Sequence, residues 1–212
     1  MSAGPAPQDS ARQGPDRHGP DRQGPGSSAT LVALAPGASD MKRFGAALAQ
    51  VLRPGDTVLL GGDLGAGKTT FTQGLAAALG VGGPVTSPTF VLVHSYRTSR
   101  GWDLLHADVW RLDQLQEVID LAIPELLEEG AAAVVEWGEL AAPALATDCL
   151  RITIDFEATA GPTAADAGPT ATAAGPATGP TADDAGTRRL SFHPLGPSWY
   201  ERMDALASAV GT

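Results

Sequence analysis

The sequence predicts an α/β fold with a mixed sheet and an antiparallel C-terminal portion. Two short apolar runs, residues 56–61 and 131–136, are typical of buried strands. Residues 150–156 instead alternate apolar and polar side chains, which is typical of a half-buried strand. Segments with helical periodicity separate these runs, so the pattern indicates helices packed on a sheet.

The first predicted elements are a helix, a strand and a second helix. Residues 41–52 place apolar side chains at helical spacing on one face, and Pro54 and Gly55 end this helix. The strand at 56–61 follows directly. After a glycine-rich loop, an Ala- and Leu-rich helix runs to about Leu79, where a glycine closes it.

Strands and short helices alternate in the rest of the chain. Residues 89–96 and 102–107 are predicted as hairpin strands joined by a turn at 97–101. Asp113 can cap a helix that runs to about Ala122. The remaining predicted elements are a short helix from Pro124, strands at 131–136, 150–156 and 188–192, and a closing helix at 199–210.

Two segments of low complexity lie outside the predicted domain. Residues 1–28 contain no Leu, Ile, Val, Phe, Tyr or Trp. Residues 158–186 consist almost wholly of Ala, Thr, Gly and Pro. Neither composition can bury enough apolar surface to offset chain entropy, so both segments are predicted to be disordered. We therefore expect one domain, residues 29–157 and 187–212, with a disordered tail and a disordered insertion.

The charge and the apolar pattern limit the function classes. The net charge is −10, of which about −7 falls on the predicted domain. A domain that binds nucleic acid unaided is usually basic, because neutralisation of phosphate charge supplies much of the affinity. Since this domain is acidic, any nucleic acid is expected to be held by a partner protein. No apolar run reaches the length of a membrane span, and the single Cys149 excludes an internal disulfide. We expect a cytoplasmic protein with no membrane-spanning segment.

A glycine-rich octapeptide after the 56–61 strand carries the strongest chemical signal. It fits the pattern G-x-x-x-x-G-K-[ST], and its residues are Gly62, Asp63, Leu64, Gly65, Ala66, Gly67, Lys68 and Thr69. Its glycines allow backbone N–H groups to approach phosphate oxygens closely, and the next helix adds its positive end. Lys68 is expected to reach the β- and γ-phosphates and the Thr69 hydroxyl to bind Mg2+.

A magnesium nucleotide site also needs a carboxylate at a neighbouring strand end. Glu136 ends the apolar run AAAVV, and Asp108 ends the run LLHA. One of them is expected to hold the metal, directly or through water, while the other orients the attacking water. Spacing favours Glu136 for the metal because its strand is the more completely apolar. A surface or capping role is the alternative for either acid, and the sequence favours it more for Asp108 than for Glu136.

Further residues near these motifs have two interpretations each. Ser87 and Thr89 can contact the γ-phosphate, its water or the metal, or can simply start a strand. His106 either points the same way as Asp108, two residues further along the strand, or packs in the core, which is the favoured interpretation. Arg111 either stabilises phosphoryl charge or forms an exposed ion pair. Trp137 either packs in the interior or presents a surface to a partner.

Absent residue types narrow the choice of ligand. The sequence contains no asparagine, which excludes the N-K-x-D element that reads guanine and favours ATP over GTP. The spacing of Cys and His does not fit a zinc site. No Arg-rich lid follows the core, which argues against a small-molecule kinase.

Four segments, GDLGAGKTTF, TSPTF, HADVWRL and VVEWGE, together resemble the TsaE (YjeE) family in their order and spacing. The resemblance covers about residues 38–157 and, more weakly, the last strand and helix. It implies a three-layer P-loop NTPase fold and a Mg-dependent ATPase with low intrinsic activity. The family assists threonylcarbamoyl modification of the tRNA adenosine next to the anticodon, acting on a complex of TsaD and TsaB. The resemblance thus implies that tRNA is reached only indirectly, through that complex.

The resemblance also implies roles for individual residues. Lys68, Asp108 and Glu136 are expected to be catalytic, with the metal held by Thr69 and Glu136. The residues expected to contact the nucleotide are those of the octapeptide together with Thr70, Ser87, Thr89 and Trp137. A nucleotide-gated binding module with incidental hydrolysis and a small-molecule kinase remain the alternative functions.

Overall fold

The computed structural model describes Met1 and residues 30–88, 92–112, 115–138, 148–157 and 186–211. Its strands are β1 Leu31–Ala35, β2 Thr57–Gly61, β3 Val93–Arg97, β4 Asp103–Asp108, β5 Ala132–Glu136, β6 Cys149–Phe156 and β7 Arg188–Leu195. Its helices are α1 Ala38–Val51, α2 Lys68–Ala78, α3 Leu115–Ile119, α4 Ile123–Glu128, α5 Pro197–Tyr200 and α6 Met203–Val210. The predicted tail and insertion lie almost wholly outside these residues, so the domain boundaries stay predictions.

The strands of the described residues form one sheet in the order β1-β7-β6-β2-β5-β4-β3. Its inner strands β6, β2, β5 and β4 run parallel to one another. On one side β7 and β1 continue the sheet in antiparallel pairing, and β3 does so on the other side. The predicted α/β fold, with a mixed sheet and an antiparallel C-terminal portion, is therefore confirmed.

Parallel pairing brings three strand ends together. Leu60 of β2 lies opposite Glu136 of β5, and Glu136 lies opposite Asp108 of β4. The glycine-rich loop leaves β2 at this same carboxyl edge. In open α/β sheets ligands bind in the crevice outside this edge. The backbone register alone therefore places Glu136, Asp108 and the start of the glycine-rich loop at one edge of the sheet.

Helices cover both faces of the sheet and complete three layers. On one face α1, α2 and α6 enclose a core in which Leu48, Phe71 and Leu206 are fully buried. On the other face, Val118 of α3 and Ile123 of α4 belong to a second core with side chains of β4 and β5. The layers agree with the three-layer architecture that the family resemblance implies.

None of the helices in these ranges combines the length and the apolar character that crossing a membrane requires. The longest of them, α1, has 14 residues, whereas about 20 apolar residues span a bilayer.

The C-terminal segment differs from the single helix predicted at 199–210. Two helices, α5 and α6, occupy it, and Arg202 between them has φ −103° and ψ −6°. Its guanidinium donates two hydrogen bonds to the Asp56 carboxylate, at 2.6 and 2.9 Å, and one to the Ser198 carbonyl oxygen at 2.8 Å. Arg202 and Asp56 are both buried. The turn between the helices is therefore tied to the entry of β2, a long-range contact that helical periodicity does not report.

Other helices and strands also differ from those predicted from the sequence. The sequence patterns did not predict β1, which pairs with β7 at the edge of the sheet. The predicted hairpin is present, but β3 begins only at Val93, because Leu92 has a positive φ of 67°. The next helix ends at Ile119 rather than near Ala122, which adopts a positive φ of 54°. Its predicted cap, Asp113, lies outside the described residues.

Helices α1 and α2 cross at close range because each carries a glycine at the contact. A Cβ atom on Gly45 of α1 would lie 2.1 Å from the carbonyl oxygen of Phe71. A Cβ atom on Gly74 of α2 would lie 2.1 Å from the carbonyl oxygen of Lys42. Since both neighbours are backbone atoms, neither can move aside without shifting a helix. The crossing therefore fixes α2, whose first turn carries the end of the glycine-rich loop.

Gly74→Ala should lower the free energy of unfolding by about 1–3 kcal/mol, the usual cost of overpacking, although alanine is intrinsically the better helix former by about 1 kcal/mol. Gly82→Ala is the matched control, because a Cβ atom there meets nothing within 4 Å. The control should change the free energy of unfolding by less than about 0.5 kcal/mol. Urea denaturation measures both variants, and equal stabilities would contradict the close crossing.

Candidate nucleotide-binding site

The glycine-rich loop joins β2 to α2 at the carboxyl edge of the sheet. Gly62, Gly65 and Gly67 have φ values of 124°, 78° and 110°, in the region that favours glycine. At Gly62 a Cβ atom would also lie 2.2 Å from the carbonyl oxygen of Ile154 on β6. The first-turn N–H groups of α2 have no partner within the helix. The loop and the helix together therefore offer N–H donors to an anion.

Lys68, the first residue of α2, is folded over the loop. Its ammonium donates to the carbonyl oxygens of Gly62 and Asp63 at 2.7 and 3.0 Å, and it lies 3.8 Å from the ring centroid of Trp137. Burial lowers the pKa of Lys68, while nearby carboxylates, Glu136 first among them, oppose this shift. Phosphate oxygens can replace the two neutral carbonyl acceptors and would form stronger, charge-assisted bonds with this desolvated cation.

Glu136 links two other side chains across the strand ends. The Thr69 hydroxyl donates to Glu136 Oε1 at 2.8 Å, and His106 Nε2 lies 2.8 Å from the same oxygen. Glu136 is only 3% exposed and His106 is fully buried. The carboxylate predicted to hold the metal therefore contacts the hydroxyl predicted to bind it. His106 is buried, as the sequence interpretation favoured, but it also has a polar partner in the site.

Asp108 makes a separate set of contacts. The Ser87 hydroxyl donates to Asp108 Oδ2 at 3.0 Å, and the backbone N–H of Trp110 donates to Oδ1 at 3.1 Å. Asp108 is 6% exposed, so it is not a surface residue. The two predicted carboxylates are thus held independently, Glu136 against α2 and β4, and Asp108 against the segments around residues 87 and 110.

Two tryptophans close one side of the site. Trp137 has a positive φ of 60°, and its backbone N–H donates to the carbonyl oxygen of Leu60 at 2.8 Å. The ring centroids of Trp137 and Trp110 are 4.8 Å apart, with the planes at 48°. Sequence reasoning did not single out Trp110, although its place in the HADVWRL segment, two residues after Asp108, was an available signal.

These side chains line a cavity of about 510 Å3. Its lining residues are Leu64, Gly65, Gly67, Lys68, Thr69, Thr70, Ser87, Asp108, Trp110, Arg111, Glu136 and Trp137. Gly62 and Asp63 line a neighbouring cavity of about 270 Å3, which Trp137 also borders. Ala66 is fully buried and packs in the core instead. Thr89 lies outside the described residues, so its predicted contact stays a prediction.

The residues present fit a nucleotide with Mg2+. The loop N–H groups and Lys68 suit phosphate oxygens, while Thr69 and Glu136 supply the oxygen donors that Mg2+ prefers alongside water and substrate phosphates. The cavity volume of about 510 Å3 lies in the usual range of small-molecule sites. The parallel strands, the glycine-rich loop and the helix that begins with Lys68 define a protein of the P-loop NTPase class.

Comparison with known proteins identifies the family within this class. Residues 35–162 match the family described as threonylcarbamoyl adenosine biosynthesis protein TsaE. The Streptomyces coelicolor protein named tRNA threonylcarbamoyladenosine biosynthesis protein TsaE is 40% identical over 161 residues, covering 75% of this chain and 93% of that protein. The Mycobacterium tuberculosis protein of the same name is 43% identical over 122 residues, covering 54% and 70%. The crystal structure of Bacillus subtilis YdiB matches with a TM-score of 0.58 and 26% identity, covering 86% of this chain and 94% of that one. The chain therefore belongs to the TsaE family.

Lys68→Ala should weaken ATP binding about 10- to 100-fold, because a hydrogen bond to a charged group contributes about 1.5–3 kcal/mol. The matched control is Lys42→Ala, which removes the chain's other lysine from an exposed position on α1. Calorimetric titration with ATP compares the two variants. An unchanged affinity in Lys68→Ala would contradict the placement of phosphate at the loop.

Proposed function

We propose that this chain is a Mg-dependent ATPase with low intrinsic activity that assists threonylcarbamoyl modification of the tRNA adenosine next to the anticodon, by acting on a TsaD–TsaB complex. The observation that carries the proposal is the placement of Lys68, Thr69 and two independently held carboxylates at one edge of the sheet. Membership of the TsaE family, whose relatives are named for this tRNA modification, supports the pathway.

Each of these residues has a separate part in the proposed reaction. Lys68 pairs with the phosphate oxygens, and Thr69 with Glu136 holds the metal. Mg2+ held by these residues would supply positive charge that offsets the charge of the phosphates. Asp108, which sits on the adjacent strand, orients the attacking water. Because the two carboxylates belong to different strands and have different partners, the metal role and the water role fall to separate groups.

The mouth of the cavity supports a protein partner. Leu64 in the loop is 83% exposed and Trp110 is 55% exposed, and both line the cavity. Large apolar side chains exposed at the rim of a site mark interaction surfaces. Asp108 is already engaged by Ser87 and by the Trp110 backbone. A partner docked on Trp110 would shift these contacts and free the carboxylate for water, so we expect low ATPase activity when the partner is absent.

A nucleotide-gated binding module with incidental hydrolysis is the second candidate. The exposed Leu64 and Trp110 favour it as well, since they would serve docking whether or not ATP is cleaved. The two candidates differ in one outcome. If a variant that no longer hydrolyses ATP still sustains many rounds of tRNA modification with TsaD and TsaB, the binding-module function is correct.

ATP turnover measured alone and with purified TsaD and TsaB tests the proposed ATPase. We expect a slow rate alone and a faster one with both partners. Asp108→Asn keeps the side-chain shape but removes the carboxylate, so it should lower the stimulated rate by about 100-fold or more. If TsaD and TsaB neither bind the chain nor raise its turnover, the proposal is wrong.

Leu64→Ser should weaken binding to TsaD and TsaB by about fivefold or more, the effect of losing roughly 1 kcal/mol at an interface residue. Leu34→Ser is the matched control, because Leu34 is also exposed but lies on β1 at the far edge of the sheet. Partner binding is measured with both variants saturated with ATP, because Leu64 also lines the nucleotide cavity. Equal effects of the two substitutions on partner binding would place the docking surface elsewhere.

A further inference from the structure

His106 has one bonded and one unbonded ring nitrogen within a fully buried environment. Nε2 lies 2.8 Å from Glu136 Oε1, whereas the described residues provide no hydrogen-bond partner for the buried Nδ1. A hydrogen on Nδ1 would therefore be buried without an acceptor, which is costly. The ring is better accommodated with its hydrogen on Nε2. In that tautomer His106 donates to Glu136.

The sheet register explains why this histidine reaches the carboxylate. His106 lies opposite Val134, and Asp108 lies opposite Glu136. Side chains two residues apart on a strand share a face, so His106 and Glu136 share the face of Val134. Val134 packs in the core that contains Phe71 of α2. A donor from β4 and a donor from the first turn of α2, Thr69, consequently converge on one carboxylate oxygen.

The contacts of Glu136 with Thr69 and His106 both use the same carboxylate oxygen, so the other oxygen is left for a metal ligand role. Both fall on Oε1, and Oε2 is the oxygen that these contacts leave for a metal or a metal-bound water. A carboxylate that is only 3% exposed needs hydrogen bonds to offset its burial. Donors from two elements also restrict its rotation. Partners of this kind orient metal ligands, and their loss typically costs about 10- to 100-fold in metal affinity or activity.

We propose that His106 is a positioning residue of the metal site, whose Nε2–H holds the Glu136 carboxylate in the orientation that serves Thr69 and Mg2+. The inference rests on the proposed function, which assigns Mg2+ to Thr69 and Glu136. It adds a residue that acts on the metal through a ligand and does not touch the nucleotide. A histidine kept only for packing would need its shape and not its Nε2 hydrogen.

Three substitutions separate the donor from the shape. In His106→Gln the side-chain amide nitrogen stands about where Nε2 stood, so the donor is retained. In His106→Asn the amide nitrogen stands about where Nδ1 stood, so a polar side chain is retained but the donor is misplaced. His106→Leu fills a similar volume with no donor. Calorimetry measures ADP affinity in EDTA, then Mg2+ affinity for the protein saturated with ADP, and a thermal melt accompanies each variant.

We expect Mg2+ affinity to fall about 10-fold or more in His106→Leu and His106→Asn, and to be restored to within about threefold of the unsubstituted protein in His106→Gln. ADP affinity in EDTA should stay within about twofold in all three, because the loop and Lys68 are untouched. Unchanged Mg2+ affinity in the Asn and Leu variants would overturn the inference. Equal losses in the Gln and Asn variants would also overturn it. If the Leu variant does not fold, the comparison of Gln with Asn still decides.

A parallel Glu136→Gln variant distinguishes failure of this inference from failure of the proposed function. If Glu136→Gln weakens Mg2+ binding and the His106 variants do not, only the positioning role of His106 is wrong. If Glu136→Gln also leaves Mg2+ affinity unchanged, the metal assignment in the proposed function is wrong.

Discussion

Burial of the Glu136 carboxylate is the constraint on which the rest of the site depends. The side chain is 3% exposed, and a charge removed from water in this way must be offset by hydrogen bonds. Thr69 supplies one from the first turn of α2, and His106 lies at hydrogen-bond distance on β4. One carboxylate therefore couples a helix and two strands at the edge where the parallel strands end. The same cluster, which we assign to the metal, ties the first turn of α2 and the end of the loop to the strand ends.

Close backbone contacts position the helices and the loop around this carboxylate. Gly74 and Gly45 let α2 and α1 approach closely, and Gly62 lies against the backbone of Ile154 on β6. Because these distances are set by backbone atoms, few side-chain rearrangements can alter them. Side chains form the parts above this cradle, where Lys68 lies over the Trp137 ring and Leu64 and Trp110 form an exposed rim. Under the proposed function, the backbone sets the cradle, and the nucleotide and the partner contact the side chains above it.

The parts of the site that could be predicted from the sequence are those set by local spacing. The octapeptide, Glu136 and Asp108 are identified by their position directly after apolar runs, and the structure brings both carboxylates and five of the eight octapeptide residues to one cavity. The contact between His106 and Glu136 could not be predicted, because it depends on the register of β4 against β5. The break before α6 has a similar cause, since Arg202 pairs with an aspartate 146 residues away. Strand β1 has only five residues, and its pairing with β7 is equally remote in sequence.

We propose above all that Lys68, Thr69 and Glu136 form one site for a nucleotide with Mg2+. A crystal structure of the protein with Mg2+ and a non-hydrolysable ATP analogue tests it most directly. We expect phosphate oxygens on Lys68 Nζ in place of the loop carbonyls, Thr69 Oγ1 among the metal ligands, and Glu136 bonded to the metal or to one of its waters. Phosphates bound away from Lys68, or a metal that does not contact Thr69, would contradict this assignment.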